Sequence, residues 1–122
     1  MSDNSSSDYG TVFKVGWIIL LVISALAALN HIILIFVLEE QVLFIGWAAF
    51  NLYSTVVLYI PFQRGEKWAW FTSWMLALGL AGVMPFDAEI GPFYVGAAIL
   101  VAVGLLMTRP AFFPEQAAVS QA

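Results

Sequence analysis

Residues 16–38 read GWIILLVISALAALNHIILIFVL, an apolar run with no Asp, Glu, Lys or Arg, broken only by Ser24, Asn30 and His31. A hydrocarbon core about 30 Å thick is crossed by about 20 helical residues rising about 1.5 Å each. The run therefore predicts a membrane-spanning helix. Ala25-Leu26-Ala27 resembles the small-residue end of a cleavable signal, but the run resumes after His31 and exceeds the roughly 7–15 residues of such an apolar region. Cleavage would also leave Ile32-Ile33-Leu34-Ile35-Phe36-Val37-Leu38 at a new N-terminus. The expectation is a retained helix.

Working outward, three more apolar segments follow at residues 42–60, 68–86 and 92–108. Glu39-Glu40-Gln41 is so short a connection that the first two helices must form an antiparallel hairpin. Pro61 closes the second helix, and Gln63-Arg64-Gly65-Glu66-Lys67 turns the chain back. Pro85 and the stretch Asp87-Ala88-Glu89-Ile90-Gly91-Pro92 make the third turn, with Pro92 in a first helical turn where its missing N–H costs little. Arg109-Pro110 is expected to end the fourth helix. Composition agrees: 62% of the chain is hydrophobic and 10% charged, against about a quarter charged in a soluble domain. A membrane barrel needs alternating polar and apolar residues, and Ile18-Ile19-Leu20-Leu21-Val22-Ile23 does not alternate.

The predicted fold is all-α, an integral membrane four-helix bundle running up-down-up-down as two antiparallel hairpins. Residues 1–12 are expected to be a disordered Ser/Asp-rich tail with nothing to bury. Residues 13–109 form the four-helix domain, and 110–122 form a C-terminal tail whose Phe112 and Phe113 rest on the membrane interface.

The four basic residues sort to one side of this plan. Lys14, Arg64, Lys67 and Arg109 flank one set of helix ends, whereas the opposite turns carry Glu39, Glu40, Asp87 and Glu89. Basic residues in short loops mark the cytoplasmic side, so the plan places both termini and the middle loop in the cytoplasm of a cell-membrane protein. Phe13, Trp17, Tyr59, Phe62, Trp68 and Trp70 are expected in an inner aromatic belt, and Phe44, Trp47, Phe86, Phe93 and Tyr94 in an outer one. The chain has no cysteine, which removes disulfides, thiol redox chemistry and thiolate metal sites. Its net charge of −4 predicts no nucleic-acid partner. The partners expected are the lipid bilayer and, within it, another membrane protein or a second copy of the chain.

His31 is the only ionisable side chain well inside a span. Pairing across the first turn sets Asn30 level with Asn51 and His31 level with Phe50, so Asn30, His31, Asn51 and Ser54 are the candidate ligand-binding residues. Polar groups in lipid need partners, and intramembrane ionisable residues point to function. Two readings stand: His31 hydrogen-bonds across the hairpin and locks its register, or it handles a ligand or proton. One imidazole without carboxylate or second histidine makes no metal site, and no cofactor is expected. Small residues line three helices, and hairpin geometry about the third turn sets Gly82 level with Gly96 for a close backbone approach.

Every carboxylate lies in a tail or turn. Small four-helix multidrug exporters are similar in length and topology, but they depend on a membrane-embedded glutamate in helix one, which is missing here. Pro61-Phe62-Gln63-Arg64-Gly65-Glu66-Lys67-Trp68-Ala69-Trp70 resembles the cytoplasmic turn of small four-helix prokaryotic membrane proteins, including DoxX-like and related uncharacterised families. The resemblance covers those ten residues and the four-span layout. Some DoxX-type proteins are linked as subunits to quinone-coupled sulfur redox enzymes, while no residue set here would hold a redox centre. Read physically, Arg64 and Lys67 meet anionic headgroups while Trp68 and Trp70 anchor the interface.

Three functions compete. A non-catalytic accessory or interaction protein is favoured by the lack of acid–base pairs, nucleophile constellations and phosphate loops. A small-molecule binding or transport protein would use a polar pocket at Asn30, His31 and Asn51. A membrane enzyme acting on a lipid or quinone would have only His31 as general base.

Overall fold

The computed structural model describes residues 5–114 and 119, with four helices and no strand among them. These are α1 (Ser5–Val37), α2 (Gln41–Tyr59), α3 (Lys67–Ala81) and α4 (Gly91–Phe112). Short connections at 38–40, 60–66 and 82–90 fold them up-down-up-down as two antiparallel hairpins, an all-α bundle. α1 packs along both α2 and α4, α3 packs on α4, and the α2–α3 seam is thin.

Solvent-type amphipathicity is inverted. Ile18, Val22, Leu26, Ile33 and Phe36 of α1 point outward, while Ser24, His31, Asn51, Ser73 and Thr108 are buried. Three stretches, Gly10–Val37, Gln41–Tyr59 and Gly91–Phe112, are long and apolar enough to cross a membrane. α3 is not. Its 15 residues rise about 22 Å, short of the hydrocarbon thickness. The expected span over 68–86 stops at Ala81 because Gly82 is a poor helix former and Pro85 disfavours helical backbone at Met84. There the chain tightens instead, with Val83 N–H donating to the Leu80 carbonyl and Met84 N–H to that of Ala81, both at 3.3 Å.

Both ends of the bundle differ from the sequence plan. α1 begins at Ser5, inside the stretch expected as a tail; residues 1–4 lie outside the described residues. Once the long span is helical, each added residue contributes a bond, and no proline precedes it. α4 passes through Pro110 to Phe112 although the ring removes a helical N–H. Packing explains this. Phe112 is buried, its ring 4.7 Å from Phe62 and 6.3 Å from Phe13. Phe113 sits edge-on to Trp70 at 5.3 Å, with the Lys67 ammonium 5.5 Å above its ring. Neither phenylalanine is an interfacial tail residue. The rest of the expected tail, residues 115–118 and 120–122, lies outside the described residues.

The core gathers at this basic end. Phe62 is fully buried and Trp70 is 7% exposed, so neither is the interfacial aromatic its position suggested. Trp70 Nε1 donates to the Leu105 carbonyl at 3.0 Å, tying α3 to α4. A second indole tie has a traceable cause. Pro61 has no N–H for the Val57 carbonyl, so Phe62 N–H takes it at 3.0 Å. The Leu58 carbonyl then accepts from Trp17 Nε1 at 2.8 Å, joining α1 to α2. Of the expected anchors, Arg64, Lys67 and Trp68 remain exposed, and Trp68 Nε1 donates to the Glu66 carboxylate. Gly65 between them holds φ +73°, a conformation that glycine adopts without strain.

α1 and α4 come close at Gly16 and Gly104. A Cβ on Gly16 would lie 2.8 Å from the Gly104 carbonyl oxygen, and one on Gly104 would lie 3.0 Å from the Gly16 oxygen. Small residues permit such contact, and close packing is a main source of helix association in lipid. The expected Gly82–Gly96 approach does not form. A Cβ on Gly82 meets only carbonyls of its own helix, and one on Gly96 meets nothing within 4 Å.

Candidate functional site

α1 and α4 touch at Gly16 and Gly104 and part toward the acidic turns. Between them lies a cleft of about 570 Å³, bounded by residues 23–31 of α1, residues 92–100 of α4 and Leu80 of α3. Its walls are mostly apolar, among them Ile23, Leu26, Ala97 and Leu100, with aromatic Phe93 and Tyr94 at the end nearest the acidic turn. Gly96 lies on its wall, which explains the open space above that glycine. Asn30 and His31 supply the polar part of the α1 wall.

His31 is 5% exposed and held from several sides. Its Nδ1 lies 2.7 Å from the Ala27 carbonyl oxygen one turn back, a bond that requires hydrogen on Nδ1. Trp47 of α2 stacks on the imidazole at 5.9 Å and 22°, and Phe44 packs beside it at 6.3 Å. Asn51 Nδ2 approaches Nδ1 at 3.3 Å but lies closer to the Trp47 carbonyl, at 2.8 Å, to which it donates. Since Nδ1 already spends its hydrogen on Ala27, the Asn51 contact brings two donors together and adds no cross-hairpin bond. His31 is therefore held chiefly by its own helix and by ring stacking, not by a hydrogen bond that sets the register.

The register bonds lie two turns away. Ser24 Oγ is 3.2 Å from the Asn51 carbonyl and 2.8 Å from Thr55 Oγ1, while Thr55 donates to the same carbonyl at 2.8 Å. Thr55 spends its hydrogen there, so Ser24 is the donor across the hairpin. Asn51 Oδ1 is buried without a partner, and an unmet buried acceptor costs about 1–3 kcal/mol.

The four candidate residues thus separate. His31 and Asn51 meet in the hairpin; Asn30 is exposed and shares only the cleft wall with His31. Ser54 belongs to neither. It donates to the Phe50 carbonyl at 2.9 Å and faces a groove of about 190 Å³ between α2 and α3, beside Tyr53, Thr72 and Ser73. Ser24, Trp47 and the α4 wall were not singled out as site residues. Ser24 sat on the same helical face as His31, which was a usable signal. The α4 wall had none, because its approach to α1 is set by the helix crossing.

Among the described residues, no three His, Cys, Asp or Glu side chains come close enough to hold a metal ion. The cleft wall carries no charged residue. Comparison with protein-family models, with curated proteins and with solved structures gives no match for this chain.

Proposed function

We propose that the chain is a multi-pass membrane protein that binds an amphiphilic small molecule in the α1–α4 cleft. The observation that carries this is an apolar cavity of ligand size, about 570 Å³, with one buried imidazole and one exposed amide on its wall. Ligand pockets of about 300–1,000 Å³ combine mostly apolar walls with a few placed polar groups. The basic helix ends face the cytoplasm in this reading, by the four-to-none split of Lys and Arg between the two ends. The cleft then lies in the outer half of the bilayer, with exposed Leu26, Phe93 and Leu100 at its lipid-facing rim.

The test is extraction of the protein in mild detergent, followed by mass spectrometry of bound lipophiles. Gly96→Phe fills the cleft from a position where a Cβ meets no atom within 4 Å. A lipophile retained by the natural chain and lost from Gly96→Phe supports the proposal; equal retention by both sinks it.

A second reading is a non-catalytic accessory protein that receives a partner's transmembrane helix at the α2–α3 groove. The thin α2–α3 seam and the Ser54, Thr72 and Ser73 side chains along it favour this reading, as does the DoxX-like turn at residues 61–70. Cross-linking from Tyr53, which is 55% exposed, would separate the two. An adduct to another membrane protein supports the accessory role, and the absence of one removes it.

A further inference from the structure

With the cleft as the binding place proposed above, we infer that its occupant is a lipophilic alcohol or phenol whose O–H is donated to Nε2 of His31. A neutral imidazole has one N–H donor and one nitrogen lone pair. The 2.7 Å contact with the Ala27 carbonyl fixes the hydrogen on Nδ1. Turning the Asn51 amide over would not release it, since Oδ1 would then face the Trp47 carbonyl at the 2.8 Å now spanned by Nδ2. Flipping the ring would forfeit the Ala27 bond, and stacking on Trp47 keeps its plane. Nε2 is left as an acceptor on the edge of the ring away from the Ala27 bond. Among the described residues it has no hydrogen-bond partner, although the residue is 95% buried by its 5% exposure and lines the cleft.

An acceptor in an apolar wall selects a donor. Ethers, esters and ketones bring only acceptors and would leave the Nε2 lone pair unmet. Anionic heads are disfavoured by the charge layout. Glu39, Glu40, Asp87 and Glu89 occupy the turns at this end, whereas Lys14, Arg64, Lys67 and Arg109 sit at the other. Cationic amines would bring a charge into a wall that holds no carboxylate. What remains is a neutral O–H head on an apolar body, with the Asn30 amide at the rim free to meet a second oxygen.

The experiment uses the full tag-free chain in maltoside micelles and three matched ligands: para-octylphenol, its methyl ether and para-octylbenzoate. The phenol is expected to bind about three- to tenfold more tightly than the ether, the range of one net hydrogen bond, and more tightly than the benzoate. His31→Phe is expected to abolish the preference, and Gly96→Phe to weaken all three. Because the chain contains a single histidine, nitrogen NMR of isotope-labelled histidine reads the site directly, whatever the fate of the His31 variant. Nε2 is expected to move upfield with the phenol and to stay in place with the ether.

Equal affinity for phenol and ether, with Gly96→Phe weakening both, overturns the hydroxyl inference and leaves the cleft as a binding place. Binding that Gly96→Phe does not touch overturns both. Tighter binding of the benzoate, or an Nε2 resonance unmoved by the phenol, also overturns the hydroxyl inference.

Discussion

The two ends of this bundle are built on opposite principles. At the basic end, backbones meet at Gly16 and Gly104, Phe13, Phe62 and Phe112 interlock, and two indoles donate across helix pairs. At the acidic end α1 and α4 separate, α3 stops at Ala81, and a cleft fills the gap. In lipid the surroundings are as apolar as the side chains, so helix association rests on close contact and on polar bonds. Both are concentrated at one end, which leaves the other without a strong reason to close.

The comparison is most exposed to attack at the aromatic cluster. Phe62→Ala empties a fully buried site and is expected to cost about 3 kcal/mol, measured by SDS-induced unfolding in maltoside micelles. Gly16→Ala should follow at about 2 kcal/mol, because its Cβ meets the Gly104 carbonyl and the Met107 Cβ below 3.0 Å and α1 must move. Trp17→Phe removes the bond to the Leu58 carbonyl and should cost about 1 kcal/mol; a loss near zero would mean that Pro61 leaves that carbonyl satisfied some other way. The smallest change has the opposite sign. Gly96→Ala adds a methyl to open space and removes a glycine from a helix, so a gain of about 0.5–1 kcal/mol is expected in the same titration. If Gly16→Ala and Gly96→Ala shifted stability alike, the contrast between a sealed and an open end would be wrong.

Much of the fold was legible because apolar length and turn chemistry speak locally. Pro61, Gly65 and the charged turns mark where α2 ends and α3 begins, and the short Glu39-Glu40-Gln41 connection marks the first hairpin. What depended on the other helices was not legible. Trp70 near a helix end reads the same whether it meets headgroups or the Leu105 carbonyl. Pro110 reads as a stop until Phe112 has Phe62 to pack on. Residues 82–86 are apolar enough for a span, and only the combination of Gly82 and Pro85 argues against one.

The candidate site was legible in part for the same reason. His31 and Asn51 stand out as polar residues in apolar runs, and hairpin spacing brings them together. That His31 bonds to its own helix, and that Ser54 turns toward α3, depends on rotamers that spacing does not specify. Gly16 and Gly104 carry no shared motif, so neither their contact nor the cleft it leaves could be read from either segment alone.

The glycine contact also gives the bundle the mechanics of a pair of tweezers. Gly16 would be the fulcrum of any tilt of α1 against α4, and His31 lies about 22 Å along the helix from it. A rocking of α1 by about 5° about that point would leave the basic end almost still while shifting the His31 level by about 2 Å over that length of helix. Leverage of this kind turns a slight tilt of one helix into a change in jaw width of about half the 3.5–4.0 Å at which carbon atoms pack.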